Sequence, residues 1–583
     1  LCGICGVAGF EDKELVKRMC NTIKHRGPDD QGIFSNDNVT LGNRRLSVID
    51  LEGGHQPIHN EEESVWVTYN GEIYNYQTLR TELEKLGHSF YTRSDTEVIV
   101  HLYEEFGENF TTKLRGMFAF ALWDIDTEKL ILARDGRGIK PLYYTNFNEG
   151  IIFASEIKSI LECGIKRSLN LKAVDQFLSY RFVFGSDTMF EGVKSLLPGS
   201  LLLYEGGKAV TKNFLHLRVR GKLSENEKIV AEKLKKLLDE AVQLRLISDV
   251  PLGVFLSGGI DSTSIVGSMS VLVDDPVKTF TVGFDDGDED FKKARLVAEY
   301  FGTDHHELIV DFDDMTKKFP KMIWHLDEPV ADPAIVPFYF VSKLARNNVK
   351  VSLVGEGADE LFGGYLHHKL AFSYANFLPE ILKRKILMRL NAPSPINDRR
   401  FLLGNTENHI EFKKFFDKAH NSYDFLDKIL LWEIRNVLPK FQLMRVDKIT
   451  MAHSLEARVP YLDPKLIEYA VSIPNNLKLK ALDGKYILKK AVKKSIPKPI
   501  IKSKKRIFTV PLRTWFREGL GEMLSYLYDS TMSEDRYLNR EHIHKIINRK
   551  SARNSHFYHL WSLLMLELWY RIFIKEEKSW KFP

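Results

Sequence analysis

The most constraining stretch of the chain runs from Val254 to Ser262. An apolar Val254-Phe255-Leu256 leads into Ser257-Gly258-Gly259-Ile260-Asp261-Ser262. The β-branched and aromatic run predicts a buried strand. Two glycines then allow a tight turn whose backbone N–H groups face outward. Ser262 can open a helix, which sets the turn at a positive helix end, a ready phosphate cradle. No Lys-Ser/Thr pair follows the glycines, so this is not a Walker A loop. Taken alone, the hexapeptide could be a strand–turn–helix with small residues for packing. Its partners elsewhere in the chain decide.

The 583 residues are enough for more than one domain, and 44% hydrophobic with 28% charged residues is ordinary for a globular protein. A net charge of +5 on 83 basic and 78 acidic residues argues against a dedicated nucleic-acid binder. The cysteines, Cys2, Cys5, Cys20 and Cys163, are too few and too uneven for a disulfide scaffold, so a reducing, cytoplasmic setting is expected. The opening Leu-Cys-Gly-Ile-Cys-Gly lacks the basic and apolar regions of a signal peptide. The late apolar stretch from His559 to Ile574 is broken by Glu567 and Arg571. It reads as an amphipathic core helix, and no membrane partner is expected.

The first part reads as short strands (Ile4 to Phe10, Val65 to Tyr69, Phe118 to Trp123, Leu130 to Ala133, Ile151 to Ala154) separated by turns such as Asn70-Gly71 and Asp135-Gly136. Helical patterns are fewer: Leu15 to Ile23, Tyr76 to Leu86 and Glu97 to Phe106. This predicts a layered α+β domain. After about residue 210 the character changes. Glu225 to Leu246 predicts an amphipathic helix with Ile229, Leu234, Leu237, Leu238 and Val242 on one side. The strands Val254-Leu256, Thr279-Phe284, Leu308-Val310 and Lys350-Val354 then alternate with helices, the pattern of a parallel α/β sheet that binds ligands at its strand ends. From about residue 410 the pattern is mostly helical. The boundary falls in the polar Lys208 to Ser224 region.

Several features beyond the phosphate loop point to a nucleotide site. Asp261 sits inside the loop. Gly355-Glu356-Gly357-Ala358-Asp359-Glu360 directly follows a strand, and three carboxylates among glycines are costly together unless a cation shares them. Met451 to Asp463 follows Asp447-Lys448, and Lys485 offers a cation for a developing phosphate charge. The loop resembles the SGGxDS pyrophosphate loop of the ATP pyrophosphatase superfamily. With the blocks Asp327-Glu328-Pro329, Asp332-Pro333, Gly355 to Tyr365, Met451 to Asp463 and Lys485 in order, the second half is similar to the synthetase domain of the asparagine synthetase B family.

The resemblance implies roles. Ser257, Gly258, Gly259, Asp261 and Ser262 would hold pyrophosphate. Leu256, Val282 and Gly355 would lie against ATP, the first two through backbone. Asp261 and Asp359 would hold Mg²⁺, Glu356 would accept a proton from the reacting nitrogen, and Lys485 would stabilise the transition state. Two departures from the family pattern stand out: Val354 in place of a small residue, and Ile507 in place of a glycine within Lys504-Lys505-Arg506-Ile507-Phe508.

The first half carries a second set: Cys2, His25-Arg26-Gly27-Pro28-Asp29, Arg45-Leu46-Ser47, Asn70-Gly71-Glu72 and Ser94-Asp95-Thr96-Glu97. An amide-hydrolysing thiol site needs a nucleophile, a base, an oxyanion hole and a clamp for the substrate's charges. An N-terminal cysteine carries its own base, an α-amino group with a pKa of about 7.7–8.0. Asn70 and the Gly71 N–H can form the oxyanion hole. Arg45 can clamp the glutamine carboxylate, and Glu72 and Asp95 its ammonium. Cys2-x-x-Cys5 as a redox pair lacks the helix that should begin there, and as half of a zinc site it lacks a second pair. These blocks resemble the class II, N-terminal nucleophile, glutamine amidotransferase domain.

Leu1 precedes Cys2 and would convert the needed amine to an amide. We expect it to reflect a non-AUG start read as Met and then removed.

The resemblance therefore implies an αββα N-terminal nucleophile hydrolase-like glutaminase domain over 2–210. It implies a synthetase domain of ATP pyrophosphatase type, with a parallel sheet and a helical C-terminal part, over 225–583. The implied reaction makes asparagine from glutamine, aspartate and ATP by a carbon–nitrogen ligase, with Mg²⁺ as cofactor, an apolar ammonia passage lined partly by Met451 to Val459, and a homodimer as assembly. Three rivals remain: the same chemistry on sugar acids or in lactam closure, a tRNA-modifying enzyme using the basic run Lys493 to Arg506, and a non-catalytic interaction protein.

Overall fold

A computed structural model of the chain describes residues 2–215, 221–285, 288–374, 379, 382, 396–404, 415–416, 423–480, 483–503, 510–518, 520–549 and 554–577. The departure at 504–508 lies outside these residues, as does Leu1.

Two antiparallel six-stranded sheets make the N-terminal half. The strands are β1 (Cys2–Ala8), β2 (Asp30–Asn36), β3 (Val39–Arg45), β4 (Ile58–His59), β5 (Val65–Ile73), β6 (Gly116–Asp124), β7 (Lys129–Arg134), β8 (Tyr143–Phe147), β9 (Gly150–Ala154), β10 (Lys194–Ser195), β11 (Ser200–Glu205) and β12 (Lys208–Asn213). One sheet runs β10-β8-β9-β1-β3-β2 and the other β12-β11-β7-β6-β5-β4. Their inner faces meet in an apolar layer that includes Ile4, Leu41, Ala121, Trp123, Leu132 and Phe153. Alternation along each strand leaves the opposite faces apolar too, and helices cover them. Lys13–Thr22 and Leu171–Tyr180 pack beside Cys5, Val7 and Ile152 of one sheet. Tyr76–Leu86 and Val98–Phe106 pack beside Val67, Phe120 and Leu122 of the other. This is the αββα layering expected of an N-terminal nucleophile hydrolase.

Seven of these strands, β2, β3, β4, β8, β10, β11 and β12, were not expected from the sequence; β2, β3 and β8 are too polar at their edges to alternate cleanly. Asn70-Gly71 was expected at a turn. Both lie inside β5, with Asn70 opposite Ala119 and Gly71 opposite Phe118. Gly71 serves close approach instead: a Cβ there would come within 2.2 Å of the Met117 carbonyl oxygen. The strand β12 continues to Asn213, so the chain leaves this domain after that residue.

The C-terminal half is built on a parallel sheet of β13 (Leu252–Phe255), β14 (Lys278–Gly283), β15 (Asp304–Ile309), β16 (Val351–Leu353) and β17 (Glu456–Arg458) in the order β15-β14-β13-β16-β17. Neighbours β13 and β16 are where the order reverses. Open parallel sheets bind ligands in the crevice beyond the strand ends at such a point. The loop after β13 is the glycine turn, and the loop after β16 is the acidic block.

The helix Glu227–Leu244 buries Val230, Leu234, Leu238 and Val242 as its period requires, but Ile229 is 46% exposed and does not belong to that face. The late helix Asn554–Phe573 is buried nearly all round from Leu560 to Tyr570, so it is a central core helix and not an amphipathic one. Its Glu567 is tolerated because Ser530, Thr531 and Arg571 all donate to it. Among the described residues no helix is long and apolar enough to cross a membrane.

Candidate active site

In the N-terminal half, β1 places Cys2 opposite Arg45 of β3. The Cys2 nitrogen donates to Asn70 Oδ1 at 3.1 Å, and Gln56 Nε2 approaches the thiol sulfur at 3.7 Å. Gln56 is fixed through its own oxygen, which accepts from the Tyr69 N–H at 2.7 Å and Asn43 Nδ2 at 3.0 Å. Sequence reasoning missed Gln56, because a lone glutamine before a proline carries no motif. With one side of the Asn70 amide spent on Cys2, its Nδ2 is buried without a partner. Such an orphan donor costs about 1–3 kcal/mol. Beside a thiol, a donor so placed can serve a developing oxyanion.

Arg45 holds the following loop by donating to the carbonyls of Ile49 and Leu51, at 3.1 and 3.3 Å. Asp95 accepts from the Tyr69 hydroxyl and the Ile73 N–H, at 3.0 and 2.9 Å, and burial raises its pKa. Glu72 follows Asn70 and Gly71 along β5. Its Oε2 pairs with Arg458 Nη2 at 2.9 Å, while Oε1 is buried without a partner. Arg458 also pairs with Glu456 at 2.5 Å. Burial raises the Glu72 carboxyl well above the usual range against the pull of Arg458, whereas Arg458 holds Glu456 low despite its burial.

In the C-terminal half, Leu256 leaves β13 with its N–H donated to the Phe280 carbonyl at 2.9 Å. Gly258 has φ of 66°, and a Cβ there would come within 2.4 Å of Lys293 Cβ, so the turn requires glycine on both counts. The Ser257 and Ser262 hydroxyls lie 3.1 Å apart across the loop. The helix Ile260–Met269 begins at once, with Asp261 in its first turn. Gly355 passes this turn closely: a Cβ would come within 3.0 Å of Asp261 Cβ. Val282 is buried in β14 opposite Leu308.

The structure brings the predicted carboxylates together around protein cations. Lys485 Nζ lies 2.6 Å from Asp261 Oδ2 and 2.7 Å from Asp359 Oδ1. These two neighbours raise the lysine's pKa although burial opposes them. Glu356 pairs with Arg445 Nη2 at 2.6 Å, and Arg445 also pairs with Asp332. Burial raises the Glu356 carboxyl against Arg445. Glu360 is pushed up to about 8, by burial first and then by Asp359 and Glu433, and it accepts from the Tyr365 hydroxyl and Gln442 Nε2, each at 2.6 Å.

Arg445 and Gln442 were missed in the sequence. They sit where the helix Phe425–Trp432 passes through a π-helical stretch, Glu433–Gln442, before resuming as Leu443–Met451. Added residues per turn re-aim side chains, a device common at functional sites. Asp261 and Asp359 converge on one cation, Lys485, beside the glycine turn after β13. Two hard carboxylates at that spot suit Mg²⁺, which takes one or two protein carboxylates together with substrate phosphates.

The two sites touch through a buried charged boundary. Arg26 donates to the Cys2 carbonyl at 3.2 Å and pairs with Glu156 and Asp447, each at 2.9 Å. Lys448 pairs with Asp327 at 2.8 Å. The expected apolar lining is only half apolar. Met451, Leu455, Ala457 and Val459 are buried there, but so are Glu456 and Arg458, which face Glu72. Of the other early cysteines, Cys5 lies 3.4 Å from Cys20, both as free thiols.

A protein of this layout is a two-domain glutamine amidotransferase: a thiol hydrolase domain joined to an ATP pyrophosphatase-type domain. Family models for the glutamine amidotransferase domain and for asparagine synthase match residues 1–215 and 233–571. The chain is 34% identical to asparagine synthetase [glutamine-hydrolyzing] 1 of Bacillus subtilis, over 99% of this chain and 97% of that protein. It is 30% identical to asparagine synthetase [glutamine-hydrolyzing] 3 of the same organism, over 90% and 89%. It is also 30% identical to amidase chry2 of Gibberella zeae, over 90% and 91%. The chain belongs to the asparagine synthase family.

Proposed function

We propose that this protein is a glutamine-hydrolysing asparagine synthetase. The observation that carries the reading is the direct link between two complementary sites. Glu72, on the strand of the thiol's oxyanion residue, is ion-paired to Arg458, on the strand beside β16, whose end carries the carboxylate cluster.

The Cys2 thiolate would attack the glutamine amide carbon, with the amine of a processed Cys2 taking the thiol proton. Asn70 Nδ2 and the Gly71 N–H would receive the oxyanion. Arg45 would hold the substrate carboxylate, and Glu72 Oε1 and Asp95 its ammonium. The amine would pass that proton to the amide nitrogen, the carbon–nitrogen bond would break to release ammonia, and water would then hydrolyse the thioester to glutamate and free the thiol.

At the second site an oxygen of the aspartate side-chain carboxylate would attack the α phosphorus of ATP, and the bond to the β phosphate would break. The Ser257 to Ser262 loop would receive the pyrophosphate. Asp261 and Asp359 would hold Mg²⁺, which supplies charge neutralisation to the departing pyrophosphate. Lys485 would stabilise the transition state from the same position. Ammonia would add to the acyl carbon, Glu356 would take the surplus proton, and AMP would leave. Adenylation is needed because hydroxide is a poor leaving group.

The test is one incubation with glutamine, aspartate, ATP and Mg²⁺, followed by detection of asparagine, AMP and pyrophosphate. Formation of ADP and orthophosphate overturns the reading. Uronic acids offered in place of aspartate test the acceptor, and their preferential amidation would move the assignment to another carboxylate. Intact mass tests whether Cys2 carries a free amine.

A further inference from the structure

A cluster unrelated to either site lies on the outer helical layer of the N-terminal half. Glu61 comes from the turn before β5, and His88 follows the helix Tyr76–Leu86. His101 and Glu104 share one face of Val98–Phe106 at i and i+3. One ligand atom from each lies within 4.8 Å of the others. The closest pairs are tighter. His101 Nδ1 is 3.2 Å from Glu104 Oε2 and 3.3 Å from Glu61 Oε2, and His88 Nδ1 is 3.7 Å from a carboxylate oxygen of each glutamate. A tetrahedron with zinc-to-ligand arms of 2.0–2.1 Å has edges of about 3.3–3.4 Å. Both imidazoles point the same nitrogen, Nδ1, into the centre.

The outer contacts are those of a metal site. His88 Nε2 meets Glu105 at 3.1 Å, and His101 Nε2 faces Glu97 at 3.6 Å. Carboxylates behind ligating histidines fix the tautomer and strengthen the ligand. Asn60 Nδ2 donates to the outer oxygen of Glu104 at 2.7 Å, and the Ser89 N–H donates to Glu61 at 2.6 Å. His101 is fully buried and Glu61 about one-third exposed, which leaves a route in from solvent.

We propose that Glu61, His88, His101 and Glu104 form a tetrahedral site for Zn²⁺. Two imidazoles and two carboxylates are a borderline donor set suited to zinc, and four protein ligands mark a structural site rather than a catalytic one. The bound ion would clamp the two helices to the β4–β5 turn. Glu97, behind His101, accepts the Tyr91 and Thr92 N–H groups, so the clamp would reach the loop that carries Asp95.

The test uses the full chain, freed of metal by a chelator and titrated with Co²⁺. The expected result is one equivalent bound with the intense visible absorption of tetrahedral cobalt, abolished by added Zn²⁺. His88→Gln and Glu61→Gln should both lose the band. His367→Gln should keep it; that residue belongs to the His367, His368 and Glu433 cluster in the other half. In the wild type, Zn²⁺ should protect His88 from acylation of its imidazole, mapped by mass spectrometry, a readout that survives if the variants misfold. Absence of the band, a weak octahedral spectrum, its persistence in both variants, or unprotected His88 would each overturn the assignment.

Discussion

The two sites meet buried polarity in opposite ways. Around Cys2, Asn70 Nδ2 is buried without a partner, and the Glu72 carboxylate, paired to Arg458 through Oε2, leaves its Oε1 open. Around the phosphate loop the carboxylates are matched to protein cations, Asp261 and Asp359 to Lys485 and Glu356 to Arg445. The difference follows from what each can bear. An unpaired amide N–H costs about 1–3 kcal/mol, so it can be held open for a neutral amide substrate. An unpaired buried charge costs several kcal/mol per ion. The carboxylates of the second cluster are accordingly neutralised by Lys485 and Arg445.

The largest effect that could break this contrast is loss of the nucleophile. Cys2→Ala should lower glutamine-driven asparagine formation at least about 10³-fold, with ammonia-driven formation within about twofold of wild type. Equal loss of both would show that the sites do not work separately. Lys485→Met should cut pyrophosphate release about 10²–10³-fold while glutamate release stays near wild type. Asn70→Ala should lower kcat for glutamate release by about 10²–10³-fold with a smaller change in KM, as expected for a donor used chiefly in the transition state.

Motifs that chemistry forces into a short run were legible in the sequence. Ser257 to Ser262, Gly355 to Glu360 and Asn70 to Glu72 each lie at or beside a strand that their apolar flanks announce. The parallel strands β13, β14 and β16 were legible for the same reason. Residues acting across long sequence gaps were not. Gln56 reaches the thiol only through the fold, and Arg445 meets Glu356 from the helix that follows a π-helical stretch no period in the sequence records. The mixed lining between the halves escaped for another reason. Glu456 and Arg458 look like surface charges in a row, and only the fold buries them against Glu72.

Glu360 sharpens the comparison from the side of pH. Its folded pKa of about 8 lies above an unfolded value near 4.5, so the folded state holds the proton longer. The stability associated with that proton is fully present below the unfolded value and is lost as pH rises through the folded one. Between pH 6 and 8 the wild type should lose on the order of 2 kcal/mol that Glu360→Gln does not lose, read as diverging urea midpoints. Parallel curves would place the proton elsewhere in the cluster.

The smallest effect lies where the same boundary between the halves reaches solvent. Lys350 Nζ pairs with Asp29 Oδ2 at 2.8 Å, each side chain about one-quarter exposed. Burial raises the Asp29 pKa, but Lys350 and the Ser47 N–H outweigh it and hold the carboxyl low. A depressed carboxyl adds stability above its unfolded pKa and loses it as pH falls through the folded value. The pair's contribution should therefore begin to fall as pH drops to the unfolded value of 3.8 and vanish only below the lower folded value. Lys350→Ala should cost less than about 1 kcal/mol in urea denaturation at neutral pH, and less still in high salt. Arg458→Met at the buried part of that boundary strands Glu456 without its counter-charge and should cost about 3–5 kcal/mol. Similar losses for the two variants would mean that burial does not set the worth of the charges joining the halves.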